Sequence, residues 1–184
     1  MARNKEEKTN VMRTLEQKKI GYIAKTYPHG DGDPIDGVSV ARAVGLDAAM
    51  VFKTLVCKGA SGGHYVFDIP VAENLDLKKA AKAVGEKAVS MLPQKELLPL
   101  TGYVHGGCSP VGMKKQFPTV FHETAAEQEQ IAVSAGKIGY QVVCKPGDLL
   151  ALLRAKTADI LSSKKQKEQL CRIISLSRAR EKII

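Results

Sequence analysis

Short apolar runs alternate along the chain with polar connections that contain glycine or proline. Runs of about 4–8 residues with alternating or continuous apolar positions predict strands, whereas an apolar stripe recurring every three or four residues predicts a helix. The predicted strands are 22–27, 52–57, 65–69, 87–92, 119–122, 130–134 and 140–144. The predicted helices are 4–19, 38–44, 74–84 or 76–84, 93–98 and 146–153.

The order of these elements indicates the class of fold. Residues 58–63, which contain three glycines between two predicted strands, predict the turn of a β-hairpin. Elsewhere the strands and helices follow one another without a regular βαβ repeat. A chain of 184 residues is also of single-domain size. The sequence therefore predicts one mixed α+β sheet domain.

The net charge of +9 is concentrated at the two ends of the chain. Residues 1–25 hold seven Lys or Arg against three acids, and residues 164–184 hold seven against two, whereas residues 26–163 hold fourteen of each. A neutral body with basic ends fits a polyanion bound at its periphery. A pair of solvated helices that use lysine for solubility fits the charge equally well.

The N-terminus and the cysteines bear on location and metal binding. Residues 1–19 are charged throughout and lack the apolar centre of a signal peptide, and no apolar run reaches membrane-spanning length, so we expect a cytoplasmic protein. Its four cysteines lie far apart, which predicts reduced thiols and no zinc site. The loop 28–34 has two aspartates and a histidine, too few oxygen ligands for calcium, and is predicted to be a solvated turn.

A glycine-rich loop spans residues 102–112. Gly106 and Gly107 allow unusual backbone angles and close approach of another molecule, and Pro110 fixes the direction in which the loop leaves. Its exposed N–H groups suit a carbonyl oxygen, an oxyanion or a phosphate. Taken alone, the loop fits an ordinary tight connection between two strands slightly better than a loop that binds a ligand.

Four motifs in order make the chain resemble a known family: FKTL at 52–55, LDLKKAAK at 75–82, GGCSPVG at 106–112 and VSAGKIG at 133–139. From about Lys18 to Ile160, the chain resembles the YbaK family of free-standing aminoacyl-tRNA deacylases. That family is similar to the editing domain of bacterial prolyl-tRNA synthetases. The resemblance implies one domain over 1–160, with a central mixed parallel and antiparallel sheet flanked by helices. Residues 161–184 are then a basic extension beyond the family body, and the helical spacing of Leu170, Ile173 and Ile174 predicts that part of it is a helix.

The resemblance also implies three catalytic residues. Lys53 is expected near the terminal ribose and phosphate of the tRNA, the main chain of Gly106 on the substrate, and Ser134 beside the aminoacyl group. The residues alone leave other interpretations open. Lys53 would fit an edge strand, and Ser134 could satisfy its own turn.

Further residues are expected to bind the substrate. Tyr27 matches the tyrosine of the family's HTY-type segment, in which Lys25 replaces the histidine. Cys108 is expected to line the pocket and not to act as a nucleophile, since a flexible glycine pair separates it from the nearest base, His105. The expected substrate-binding residues are Tyr27, Thr54, Gly107, Cys108, Ser109, Gly136 and Lys137.

In this family the cysteine thiol of the substrate is proposed to attack its own ester, which needs neither cofactor nor metal and is formally lyase-like if the thiol cyclises. The resemblance thus implies trans-editing of Cys-tRNA(Pro), and also of Cys-tRNA(Cys). It implies prolyl-tRNA synthetase as a transient partner and no association with a membrane. Three alternatives remain: a deacylase for another small residue such as Ala-tRNA(Pro), a non-catalytic tRNA-binding partner of a synthetase, and, weakest, a nucleotide-binding protein, since neither glycine loop has phosphate-motif spacing.

Overall fold

The computed structural model describes residues 7–30 and 36–163. Its α-helices are α1 (Asn10–Gln17), α2 (Gly37–Ala43), α3 (Leu77–Val84), α4 (Gln94–Thr101) and α5 (Pro146–Leu153), and a 3-10 helix spans Glu123–Glu127. Its strands are β1 (Ile23–Thr26), β2 (Phe52–Gly59), β3 (His64–Pro70), β4 (Val89–Met91), β5 (Thr119–His122), β6 (Ile131–Ser134), β7 (Tyr140–Cys144) and β8 (Lys156–Ala158).

The larger sheet has five strands in the order β4-β2-β3-β5-β8. The pairs β2–β3 and β2–β4 are antiparallel, whereas β3–β5 and β5–β8 are parallel. The predicted mixed sheet in an α+β domain is therefore confirmed. A second, antiparallel sheet of three strands, in the order β1-β7-β6, was not predicted, because strand patterns do not reveal which strands pair.

The two sheets meet at one point and then separate. Val51 and Ala132 form an isolated parallel bridge, and the Ala132 N–H donates to the Met50 carbonyl at 2.8 Å. Beyond this bridge β2 and β6 continue in the same direction but belong to different sheets. On the same edge of β2, the edge away from β3, β4 pairs with it only from Cys57 to Gly59. The first half of β2 therefore borders a gap between the sheets.

Side-chain caps fix where the helices begin. Asp76 accepts hydrogen bonds from the backbone N–H groups of Lys78 and Lys79, so of the two predicted starts of α3, Asn74 and Asp76, the second is confirmed. The prediction for the first helix was too long, because Thr9 caps α1 and residues 7–9 are not helical, while residues 4–6 lie outside the described part. The 3-10 helix, with the sequence ETAAE, and β8, with the sequence KTA, were missed because neither contains an apolar run.

The main apolar core lies between α1, α5 and the two sheets. The predicted stripe of α1, Val11, Met12 and Leu15, is buried in it, and each such side chain stabilises the fold by roughly 1.5–3 kcal/mol. A second cluster joins α3 to β3 and β5.

The end of the described chain runs along this body. Leu161 forms an antiparallel bridge with Leu75, and the Ser162 N–H donates to the Asn74 carbonyl at 2.9 Å. The rest of the predicted basic extension, residues 164–184, lies outside the described part, as does 31–34 of the predicted turn. No helix within the described ranges is both long and apolar enough to cross a membrane.

Candidate functional site

A cavity of about 350 Å³ occupies the gap between the two sheets. Its walls come from the first half of β2, the end of β6, β7, and Tyr27 just after β1. Residues of α2, α4 and the glycine-rich loop complete them. The lining side chains and backbone groups that could contact a polar ligand are Tyr27, Lys53, Thr54, Gln94, His105, Gly106, Cys108, Ser134 and Gln141. The size is at the lower end of the range typical of small-molecule sites, about 300–1,000 Å³.

Most of the remaining wall is apolar. Val51, Phe52 and Val56 belong to or precede β2 and are almost completely buried. The other apolar residues of the wall are Val40, Leu55, Val71, Met91, Leu92 and Leu97. A cavity with this lining favours a small ligand that has both apolar and polar parts.

Lys53 brings a positive charge to the cavity. It lies on β2, is half-buried, and donates from Nζ to the Val71 carbonyl at 3.2 Å. In the order of the sheet β2 lies between β3 and β4, but β4 pairs only with residues 57–59, so at Lys53 the strand is paired with β3 alone and is open to the cavity. Its ammonium group can interact with a phosphate or ribose oxygen at the wall of the cavity.

Thr54 is backed by a buried acid. Its Oγ1 lies 2.6 Å from Oδ1 of Asp68, the residue opposite it on β3. Asp68 is fully buried, and its Oδ2 has no partner among the described residues. Burial raises the pKa of Asp68 to about 8, with the Thr54 hydrogen bond acting in the opposite direction. The carboxyl group is therefore mostly protonated at neutral pH.

Gly106 lies in the glycine-rich loop with a φ of +84°, a backbone conformation that favours glycine. Among the described residues none accepts a hydrogen bond from its N–H, so this donor remains for a ligand. Tyr103 anchors the loop, because its hydroxyl donates to the Val111 carbonyl at 2.7 Å and its N–H donates to Thr101 Oγ1 at 3.1 Å.

Ser134 and Tyr27 reach the cavity from the smaller sheet. Ser134 ends β6, and its Oγ accepts a hydrogen bond from the Gly136 N–H at 3.2 Å. The serine therefore satisfies its own turn and also lines the cavity. Tyr27 follows β1, is buried, and donates its backbone N–H to the Gly139 carbonyl at 2.9 Å.

Cys108 lines the cavity as a neutral thiol. Burial, and then the nearby Asp68 carboxyl, raise the pKa of Cys108 to about 12. A thiol with this pKa is almost entirely protonated at neutral pH and is a poor nucleophile. His105 is exposed, and it forms neither a hydrogen bond nor an ion pair with Cys108. The geometry is thus that of a wall residue.

Four of the predicted substrate-binding residues lie outside the lining of the cavity. The Gly107 N–H donates to the Val104 carbonyl, and Ser109 is fully buried and accepts from the Val111 N–H. Gly136 packs against the ring of Tyr103. Lys137 is exposed and forms a 2.8 Å ion pair with Glu7. Their roles in binding substrate remain predictions.

Three residues of the site were not predicted from the sequence: Asp68, Gln141 and Tyr103. Gln141, on β7, is almost fully buried and lines the cavity, and its Oε1 has no partner among the described residues. Asp68 interrupts an apolar strand just as Lys53 does, and that signal could have identified it. Nothing in the sequence around Tyr103 shows that it would support two loops.

Comparisons with known proteins agree on one family. The sequence model of the aminoacyl-tRNA editing domain matches residues 36–152. An Enterococcus faecalis protein named "Putative Cys-tRNA(Pro)/Cys-tRNA(Cys) deacylase EbsC" is 45% identical over 161 residues, which cover 87% of this chain and 98% of that protein.

Solved structures show the same fold. A crystal structure described as that of "a putative trans-editing enzyme for prolyl tRNA synthetase" has a TM-score of 0.73 and 27% identity, covering 84% of this chain and 96% of that one. A second crystal structure, of a hypothetical protein, has a TM-score of 0.75 at 20% identity, covers 83% of this chain and 99% of that one, and shows the fold alone. Since the family model spans more than half of the chain and the curated relative matches almost end to end, this chain belongs to the aminoacyl-tRNA editing domain family, as its resemblance to the YbaK proteins implied.

Proposed function

We propose that this protein is an aminoacyl-tRNA deacylase that removes cysteine from Cys-tRNA(Pro), and also from Cys-tRNA(Cys). The observation that carries the proposal is the convergence of Lys53, Gly106 and Ser134, from three separate parts of the chain, on one cavity. Family membership and the name of the Enterococcus faecalis relative support the same reaction and substrates.

The proposed reaction uses the thiol of the substrate. The sulfur of the esterified cysteine attacks the carbonyl carbon of its own ester, so a C–S bond forms. The C–O bond to the ribose breaks, and the ribose oxygen takes the proton that the thiol loses. Water then opens the cyclic thioester and releases cysteine. Cys108 supports this route, because a protein thiol with a pKa of about 12 is poorly suited to form an acyl intermediate.

The protein contributes orientation and electrostatic stabilisation to this reaction. The Gly106 N–H donates to the carbonyl oxygen of the ester as negative charge develops on that oxygen. Lys53 binds the terminal ribose and phosphate, and Ser134 contacts the aminoacyl group. The apolar wall confines the side chain, so that its sulfur stays close to the carbonyl carbon.

Single-turnover deacylation of Cys-tRNA(Pro), Ala-tRNA(Pro) and Ser-tRNA(Pro) tests the proposal. We expect wild type to hydrolyse the cysteinyl ester much faster than the other two. Lys53→Ala should lower the rate by about 10²–10³-fold, since it removes a charge from the site of reaction. Lys58→Ala is the matched control, because Lys58 lies on the same strand but is exposed and outside the cavity.

Other outcomes would point to a different function. If Ala-tRNA(Pro) is hydrolysed as fast as Cys-tRNA(Pro), the reaction does not require a substrate thiol, and the protein is a broader editing enzyme. A protein that binds tRNA but hydrolyses none of the three esters would be a binding module. Pull-down of prolyl-tRNA synthetase with and without tRNA(Pro) tests the proposed transient complex, which loses support if no enrichment over a lysyl-tRNA synthetase control is found.

A further inference from the structure

A buried carboxyl group behind the cavity has no role in the reaction proposed above. Asp68 lies on β3 with none of its surface exposed, and Oδ2 has no hydrogen-bond partner among the described residues. Its Oδ1 lies 2.6 Å from the hydroxyl oxygen of Thr54, which lines the cavity. A buried acid with an unpaired oxygen costs stability, and a functional role would explain why it is present.

The arrangement favours the neutral form of this acid. A carboxylate would leave a charged, unpaired oxygen in the interior, whereas a protonated carboxyl group with its hydrogen on Oδ1 leaves only a carbonyl-type oxygen unpaired. Asp68 acts electrostatically on the Cys108 thiol of the glycine-rich loop, and that thiol is itself neutral. On the other side, Asp68 is paired with the apolar Phe121 of β5.

The protonation of Asp68 decides which way the Thr54 hydroxyl points. An ionised Asp68 can only accept, so Thr54 must donate to it and offers the cavity nothing but lone pairs. A neutral Asp68 can donate to Thr54 Oγ1, and the hydroxyl hydrogen of Thr54 is then available to a ligand.

We propose that Asp68 is a positioning residue: as a neutral acid it donates to Thr54 Oγ1 and thereby directs the Thr54 hydroxyl hydrogen to an oxygen of the aminoacyl ester. The inference rests on the proposed function for the identity of that ligand. The Asp68–Thr54 pair turns an otherwise ambivalent hydroxyl into a fixed donor on the β2 wall of the cavity.

A double-mutant cycle on single-turnover kcat/KM for Cys-tRNA(Pro) tests this coupling. Asp68→Val and Thr54→Val should each lower kcat/KM by about three- to tenfold, the usual effect of losing one hydrogen bond. The double variant should lose no more than Thr54→Val alone, because Asp68 acts through Thr54. Thr119→Val is the matched control: Thr119 is also buried in this sheet and hydrogen-bonded, but lies outside the cavity, and its variant should keep the wild-type rate. Additive losses would overturn the proposal.

The conservative variant separates positioning from a structural role. In Asp68→Asn the amide can still donate to Thr54 but cannot ionise. We expect it to keep kcat/KM within about threefold of wild type at neutral pH. The ratio of wild-type to Asp68→Asn activity, each corrected for spontaneous hydrolysis, should fall as the pH rises above about 8. A constant ratio would contradict the proposal.

Two measurements keep this inference separate from the proposed function. A ¹³C NMR titration of the Asp68 carboxyl carbon should show it protonated at pH 7, and titration in the ordinary acidic range would overturn the inference whatever the enzyme does. If wild type hydrolyses none of the esters, the proposed function fails. The same cycle, measured as the Kd of 3′-(L-cysteinyl)amino-3′-deoxyadenosine, then decides whether Asp68 and Thr54 are coupled in binding.

Discussion

Burial changes the chemistry of two side chains at the cavity in the same direction. It keeps the proton on the Cys108 thiol and on the Asp68 carboxyl group, because the low-polarity interior disfavours both anions. A neutral thiol is inert as a nucleophile, whereas a neutral carboxyl group becomes a hydrogen-bond donor. The same physical effect therefore removes one candidate for catalysis and supplies another for orientation.

Replacing Asp68 with asparagine should reduce the pH dependence of stability. Burial raises the pKa of Asp68 from its ordinary value of 3.8 to about 8, so between these values the unfolded chain releases a proton that the folded protein retains. The free energy of unfolding of the wild type should therefore fall as the pH rises through this window, by up to about 1.4 kcal/mol per pH unit. Urea denaturation at about pH 5 and about pH 7.5 measures the slopes. Equal slopes in wild type and Asp68→Asn would contradict a raised pKa of Asp68.

Cys108 should be dispensable for catalysis. Since its thiol is buried and its pKa is raised to about 12, we expect Cys108→Ala to keep deacylation within about tenfold of wild type, with the residual loss coming from the changed cavity wall. Single-turnover rates measure this, and iodoacetamide should label the native Cys108 slowly when followed by mass spectrometry. A loss as large as that of Lys53→Ala would show that the thiol takes part in the reaction.

The residue patterns alone left the roles of Lys53 and Gly106 open, and the resemblance to the family assigned them to the site. A lysine inside an apolar strand and a glycine pair in a loop attract attention, and both Lys53 and Gly106 line the cavity. The contact of Thr54 with Asp68 depends on the register of β2 with β3, which the hairpin fixes but its sequence does not display. Gln141 looks like an ordinary strand residue until the two sheets place it at the gap.

At the scale of elements, one side chain supports both loops of the site. The ring of Tyr103 lies so close to the backbone of the second loop, residues 135–139, that a Cβ on Gly136 would be 2.8 Å from Tyr103 Cε1 and 3.0 Å from Val11 Cγ2. The hydroxyl of Tyr103 meanwhile holds the end of the glycine-rich loop. The relative position of Gly106 and Ser134 therefore depends on this packing.

Gly136→Ala should destabilise the protein by more than about 1 kcal/mol. Its φ of +83° strains a residue with a Cβ, and the methyl group would meet side chains that are buried and cannot move aside. Gly147→Ala is the matched control: nothing lies within 4 Å of a Cβ built there, and the position is helical, so alanine should stabilise α5 by up to about 1 kcal/mol. Urea denaturation compares the two variants, and equal effects would show that Tyr103 does not constrain the loop.

The individual elements were more predictable than their assembly. Apolar patterns and caps identified β2, β3 and α3 with small errors at the ends. The division of the strands between two sheets depends on pairings far apart in the chain, such as β1 with β7. The cavity exists only because of that division, so its position could not be predicted from the sequence pattern alone.

At the scale of the whole molecule, the distribution of charge suggests how a long polyanion is held. Residues 26–163 contain as many acids as bases, so the part of the chain that forms the cavity offers little net attraction to tRNA. The excess positive charge lies in residues 1–25 and 164–184. We therefore expect the cavity to recognise the aminoacyl end and the basic ends of the chain to supply much of the affinity.

Neutralising part of the C-terminal charge should weaken tRNA binding and its salt dependence together. In the full chain, replacing Lys164, Lys165 and Lys167 with glutamine should raise the Kd for tRNA(Pro). It should also reduce the slope of log Kd against log salt concentration by about one for each phosphate that is no longer neutralised by a lysine. The control variant replaces three exposed lysines in and beside α3, 78, 82 and 87, with the same change in net charge. Filter binding from about 50 to about 200 mM salt measures both slopes.

If both triple variants behave alike, net charge alone attracts the tRNA and the C-terminal extension makes no specific contact. A change confined to the C-terminal variant, with the single-turnover rate at saturating enzyme unaltered, would assign the extension to binding and leave the chemistry to the cavity.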